Sequence, residues 1–422
     1  MAPVSVLVRR EGNQVTSRSR TVLALSLLPL VLLALWFTLT GRGEAIPGAR
    51  LMDAVAAPVK HLAWSPDGRL LAGALADGSY VLWNAETGRA LRDLRGPYRG
   101  GDGVGLAFTA DGKHVLVEQT ARRMAPNGYF SVLGAWNVED GAVTDIFGPS
   151  TARSYSVSQS DQRVFTLYER GEVIVYDART WQPVQLWKAD PAAVRGLAVH
   201  PTGAFIAVAG VMQCPRGLPP ARLWLYDVKN IPPMPFVAAP AAVIDNAHQD
   251  GVSIRVAWLG NERIVSVANQ VSGNGTDCEG RANTTREADH LVVWQAQDGK
   301  KARALPIGIS TVESLAPRAD GRVIAIASSS SEGGPGTVQI VDVESGQVLA
   351  TWGGPEASYT AASFSPNGEL IAAGRTRSST LHALLTPIAR LFGDDATAWL
   401  ASLFASKAEV LVTTLNANTA TP

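Results

Sequence analysis

A short apolar segment, a polar turn and a second apolar run recur seven times along this chain. The clearest copy reads Ala63-Trp64-Ser65-Pro66-Asp67-Gly68-Arg69-Leu70-Leu71-Ala72. The turns are Ser65-Pro66-Asp67-Gly68, Thr109-Ala110-Asp111-Gly112, Gln159-Ser160-Asp161-Gln162, His200-Pro201-Thr202-Gly203, Leu259-Gly260-Asn261-Glu262, Arg318-Ala319-Asp320-Gly321 and Ser365-Pro366-Asn367-Gly368. Asp-Gly and Asn-Gly tolerate positive φ and predict two-residue hairpin turns. Two places ahead of the turn stands a small residue in six copies (Ala63, Ala107, Ala198, Ala257, Ala316 and Ser363), with Val157 in the third. After each turn comes an apolar run such as Phe205-Ile206-Ala207-Val208-Ala209 or Val323-Ile324-Ala325-Ile326-Ala327. Continuous runs of this length predict strands buried on both faces.

A third strand ends in an aromatic or apolar residue followed by a polar one: Trp83-Asn84, Trp136-Asn137, Tyr176-Asp177, Tyr226-Asp227, Trp294-Gln295 and Val341-Asp342. A further turn (Thr87-Gly88, Asp140-Gly141, Asp298-Gly299, Ser345-Gly346) leads to a fourth strand such as Ala90-Leu91-Arg92-Asp93-Leu94. The third turn positions fall at 67, 111, 161, 202, 261, 320 and 367, so the units are 41 to 59 residues long. Four strands at that period predict the blades of an all-β, seven-bladed β-propeller. These residues resemble the WD40 family and the related bacterial YVTN-type propellers over about residues 49–415, and the resemblance implies the fold. No copy carries a literal Trp-Asp, and the Gly-His of WD40 units is absent, so the hydrogen-bond tetrad those units build from His and Asp is not carried over. The last unit lacks a fourth strand after Glu409-Val410-Leu411-Val412-Thr413-Thr414-Leu415. Ala49-Arg50-Leu51-Met52-Asp53-Ala54-Val55 is expected to supply it, closing the ring and leaving no open edge.

Residues 21–40 contain no charged residue. As a helix they span about 30 Å, enough for one transmembrane helix. Arg9, Arg10, Arg18 and Arg20 precede them against a single acid, Glu11. That asymmetry predicts a cytoplasmic N-terminus and a periplasmic propeller on a bacterial inner membrane, held in the lipid bilayer through 21–40; a cleaved signal peptide ending near Ala45 is the alternative. The expected organisation is a tail (1–20), the span (21–40), a linker (41–48), the propeller (49–415) and a C-terminal tail (416–422). With 37 basic and 37 acidic residues the formal charge is zero, which gives no attraction to nucleic acid as a whole.

The two cysteines, Cys214 and Cys278, fall by the repeat alignment in connections between second and third strands of blades four and five, on one face. A disulfide between them is expected, consistent with an oxidising compartment; two unpaired thiols are the alternative. The long interruptions of the repeat gather on that same face, at about 119–131, 211–221, 270–289, 328–336 and 376–407. Long connections in compact folds are commonly functional. Within the last, Leu381, Leu384, Ile388 and Leu391, then Trp399 and Leu403, recur at helical spacing and predict a helical hairpin inserted in the last blade. Its apolar stripe either packs on the propeller's own rim or docks a partner. Arg122, Arg123 and Tyr129 form a second candidate contact patch or a solvated loop.

No Cys-x-x-Cys-His, Gly-x-Ser-x-Gly, phosphate loop or His-Glu-x-x-His occurs, so no catalytic, metal or cofactor site is expected. His61 and His200 lie near the axis by alignment and are expected to be structural. The leading expectation is a non-enzymatic scaffold or accessory subunit binding other membrane or periplasmic proteins. The alternative is a propeller enzyme of lactonase type with its site at the channel mouth.

Overall fold

The computed structural model describes residues 46, 48–94, 99–100, 105–125, 128–147, 152–189, 193–211, 220–231, 236–248, 253–269, 290–309, 311–329, 336–354, 357–377 and 407–415. The chain divides into two units, Met1–Ala45 and Ile46–Pro422; the strands belong to the second. They form seven sheets, each built on four antiparallel strands of the repeat. Blade one is Val59–Trp64, Leu70–Leu75, Tyr80–Asn84 and Ala90–Leu94 in that order. The first strands of successive blades touch one another around the ring, and that of blade seven (Ala357–Phe364) touches that of blade one. Closure follows the expected route: Arg50 and Leu51 pair antiparallel with Val412 and Leu411, so the N-terminal strand completes the last blade.

The apolar second strands sit where both faces are covered. Val323–Ser328 is buried at every position, and Leu71 through Leu75 likewise. The core is divided among the seven blade–blade interfaces. Phe165, Val175 and Trp187 of blade three meet Ile206, Trp224 and Tyr226 of blade four, for example. Each blade is a flat hydrophobic unit with two covered faces, so no blade has a core of its own.

The turn after the first strand differs from the two-residue hairpin expected. The Gly68 amide donates to Ser65 O at 2.9 Å, and the Ser65 amide to Leu70 O at 2.9 Å. Pro66 and Asp67 are therefore the central residues, and Gly68 follows them at φ +71°, the left-handed region that suits glycine. The same backbone bonds place Ser158, not Gln159, at the start of the third copy, since the Ser158 amide donates to Arg163 O. Ser156 then pairs with Phe165 as Ala63 pairs with Ala72. The small-residue rule holds in all seven blades once the register is right. Its reason is close approach: the Trp64 indole donates to Ser363 O of blade seven at 3.1 Å, and the Trp258 indole to Ala198 O of blade four at 3.0 Å.

The polar residue after the third-strand aromatic caps the next turn. Asn84 Oδ1 accepts from the Thr87 amide (2.7 Å), Asp177 Oδ1 from the Arg179 amide (2.8 Å) and Asp342 Oδ1 from the Ser345 amide (2.8 Å). The Ser345 amide, with Arg322 Nε 2.6 Å from Asp342 Oδ2, holds the Asp342 carboxyl below its usual range.

Two interruptions differ from expectation. In blade two, 119–131 is not a loop but the far end of a long hairpin, His114–Ala125 against Gly128–Asn137. Blade four carries an unanticipated insertion between its third and fourth strands, on the other face. There Val228–Asn230 makes a 3-10 turn, and Phe236–Val237 pairs parallel with Trp187–Lys188 as a fifth strand of blade three. The predicted helical hairpin, the span 21–40 and both cysteines lie outside the described residues. Among the described residues no helix is long and apolar enough to cross a membrane.

Candidate interaction face

Strand direction sorts the connections onto two faces. First-to-second and third-to-fourth connections share one, the turn face. Second-to-third connections and blade-to-blade links share the other, the insertion face. The interruptions after Val211, Asn269, Ser329 and Arg377 all leave from the ends of second strands, so their roots lie together on the insertion face.

Of the predicted contact residues, Arg122 and Tyr129 stand opposite one another in the register of the blade-two hairpin, with Arg123 beside Arg122 on the same strand. Leu381, Leu384, Ile388, Leu391, Trp399 and Leu403, like Cys214 and Cys278, lie outside the described residues. The described structure therefore brings Arg122 and Tyr129 together and is silent on the rest. It does show how the blade-seven insertion is rooted. Arg375, at the end of the second strand, and Glu409, at the start of the third, are cross-strand partners. Arg375 Nε lies 3.1 Å and Nη2 2.5 Å from Glu409 Oε2. Their side chains are only 9% and 19% exposed. This pair was not singled out in the sequence; a charged residue at the same distance from the root on either strand is the signal that marks it.

On the turn face several first-to-second turns satisfy their own polar groups. Ser65 Oγ donates to Asp67 Oδ1 (2.6 Å) and accepts from the Leu70 amide (2.9 Å); Thr109 and Asp111 repeat this at 2.7 and 3.0 Å. Such bonds hold the Asp67 carboxyl low, the Ser65 hydroxyl being the largest cause. His200 takes the serine position in blade four. Its Nδ1 accepts from the Thr202 amide at 3.1 Å, which leaves the proton on Nε2, and that nitrogen donates to Asn261 O of blade five at 3.0 Å. With its ring edge-on to Trp258 at 4.7 Å, His200 joins two blades and has no ring nitrogen left for a ligand.

One histidine was not foreseen. His248, the last residue of the fourth strand of blade four (Ala242–His248), is buried, and its Nε2 lies 2.8 Å from Ser266 Oγ of blade five. The Trp294 indole donates to that same oxygen at 2.8 Å. A three-member His–Ser–Trp chain thus joins the outer strand of blade four to blade five, where a histidine-based network was not carried over from the family resemblance. The signal was Ala247-His248 in place of Gly-His. Burial is the larger cause, and the Lys301 charge the smaller, of a His248 pKa lowered to about 4.

Comparison with known proteins agrees with this architecture. The family described as the anaphase-promoting complex subunit 4 WD40 domain matches residues 49–98, the closing strand and blade one. A chain in the crystal structure of the mitotic checkpoint complex superposes with a TM-score of 0.58 at 15% identity, over 78% of this chain and 92% of its own. The structure of U3-55K superposes with a TM-score of 0.56 at 15% identity, over the same shares. No curated protein matches the sequence. At these identities the likeness shows the fold, a seven-bladed propeller of WD40-like units.

Proposed function

We propose that this chain is a non-enzymatic interaction module, a propeller anchored by residues 21–40 in a bacterial inner membrane and facing the periplasm. It would act there as a scaffold or accessory subunit of an envelope complex. The observation that carries the scaffold reading is the sorting of the repeat's interruptions. The ring is closed by its own N-terminal strand, and four breaks in it are rooted on one face, the blade-seven one beside a buried ion pair. That is the construction of a broad docking surface with variable inserts. Two solved structures that share the fold are a chain of the mitotic checkpoint complex and U3-55K, and the first of these supports an assembly role by analogy of fold. The anchor rests on the uncharged run 21–40 and the arginines ahead of it.

The test is purification of the full chain in mild detergent from washed membranes, with mass-spectrometric identification of what comes with it. The chain is expected to stay with membranes at high salt, to leave only with detergent, and to bring stoichiometric envelope proteins. A mature chain beginning near Ile46 would remove the anchor. A detergent-extracted chain that runs alone as a monomer would remove the scaffold.

The periplasmic location has its own check. The segments bearing Cys214 and Cys278 are rooted on neighbouring blades of the same face, so a disulfide is within topological reach. Intact mass under non-reducing conditions should be two hydrogens lower than after reduction. Two free thiols in protein taken directly from cells would place the face in a reducing compartment instead.

A further inference from the structure

The innermost strands share a feature that the repeat does not explain. In five blades the ladder between first and second strands slips by one residue at the same place, three residues before the small residue. The slips lie between Val59 and His61, Ala152 and Ser154, Val194 and Gly196, Val312 and Ser314, and Tyr359 and Ala361. The residues left out of the ladder are Lys60, Arg153, Arg195, Glu313 and Thr360. A bulge re-aims its unpaired residue and recurs beside functional sites. All five sit at the start of the first strand, hence at one level around the axis, on the insertion face.

Across blades three, four and five this level is basic. Arg153 pairs with Glu169. Blade five has no slip, and its Arg255 reaches blade six, with Nε donating to Val312 O at 3.1 Å and Nη2 3.7 Å from Glu313 Oε2. Glu313 is held in turn by Ser329 Oγ at 2.7 Å. Between them, Arg195 is exposed and makes no side-chain hydrogen bond or ion pair with the described residues. Its two neighbours have their charge answered by described residues; its own is not.

We propose that Arg195 anchors a carboxylate-binding site at the axial mouth of the insertion face, taking an acidic segment of a protein partner. A guanidinium presents a planar fork that matches a carboxylate with two parallel bonds. The arginines of the two neighbouring blades are already paired, with Glu169 and with Glu313, so a single guanidinium stands open, which suits singly charged carboxylates spaced along a peptide rather than the dense charge of a phosphate or a nucleic acid strand. This rests on the scaffold reading above and names the chemistry one of its partners would present.

The experiment uses the full chain in mild detergent and a fluorescently labelled poly-glutamate peptide, followed by anisotropy at low and physiological salt. Inorganic phosphate and free glutamate serve as competing probes. Wild-type chain should bind poly-glutamate, Arg195→Glu should weaken binding at least tenfold, and Arg195→Lys should fall between. Arg89→Glu, the same charge change at an exposed residue of the turn face, should leave binding within about twofold. Equal losses in the Arg195→Glu and Arg89→Glu variants would reduce the effect to net charge and overturn the site, as would displacement of the peptide by phosphate at lower concentration than by free glutamate. If partners co-purify undiminished with Arg195→Glu, the site fails and the scaffold stands. If poly-glutamate binds as described but the chain has no partners, the scaffold fails and the site stands.

Discussion

Replacing Glu409 by leucine should cost about 3–5 kcal/mol of stability, and the double variant Arg375→Met/Glu409→Leu should recover most of it. The asymmetry comes from what each change leaves behind. Glu409 is the carboxylate to which both Arg375 Nε and Nη2 are bonded, and the arginine side chain is 9% exposed. Removing the acid alone strands a guanidinium that cannot neutralise by losing a proton. Breaking a buried pair from one side costs about 3–5 kcal/mol, whereas replacing both ions by apolar groups of similar size is often neutral. Arg375→Met alone should cost less, since the Glu409 side chain, 19% exposed, is the one of the two that water reaches more readily. Urea unfolding followed by tryptophan fluorescence on all four chains forms a double-mutant cycle. A Glu409→Leu midpoint equal to the wild-type one would show that the pair is not what holds the root of the blade-seven insertion.

Much of the ring was legible because each blade repeats the same physical problem. A small residue must stand where first strands converge, an apolar run must lie between two blades, and a polar residue must cap the turn after the third-strand aromatic. Those demands fall on residue type and are visible as letters. Turn geometry was less legible. Asp-Gly reads as a two-residue turn, but Ser65 and Thr109 add a hydroxyl that bonds the amide five residues on, and this favours the longer turn in which only glycine takes positive φ. The third copy was misaligned by one residue for the same reason: it has no glycine to mark the turn, and the residue at positive φ is Gln162.

The bulges left a signal that went unread. Along a regular strand apolar and polar positions alternate, yet here two weakly buried residues follow one another: Lys60-His61 between Val59 and Leu62, and Arg153-Ser154 between Ala152 and Tyr155. A doubled polar step is how an extra residue shows in a period of two. The blade-four insertion at 228–241 and the His248 network were illegible for a different reason. Each depends on a neighbour far along the chain, the blade-three edge in one case and Ser266 with Trp294 in the other, and no local pattern carries that information.

Acid should expose the His248 network. The folded-state pKa of His248 is about 4, against about 6.5 for a free histidine. Between those values the unfolded chain binds a proton that the folded chain does not, so stability rises with pH through this window. The contribution is fully present above about 6.5 and is lost as pH falls toward 4. A difference of this size corresponds to about 3 kcal/mol in all, of which about 2–3 is gone by pH 4.5. Burial sets the direction, and the bonding agrees with it. Ser266 Oγ receives the Trp294 N–H, so its own proton is best placed on His248 Nε2. A protonated ring would force that hydroxyl to turn away, in a buried site with the Lys301 charge already nearby. His114 is also shifted down by burial and shares the window, while the lowered carboxylates Asp67, Asp111, Asp320 and Asp342 act below it. The His248→Gln variant separates the terms. It should be less stable than wild type at pH 7.5, where the lost packing and hydrogen bond dominate. Its stability should then decline by at least about 2 kcal/mol less than that of wild type on going to pH 4.5, because the His248 contribution is absent while that of His114 is common to both chains. Parallel urea midpoints for the two chains across that range would mean that His248 is charged in the folded blade, and the serine hydroxyl could not then be its donor.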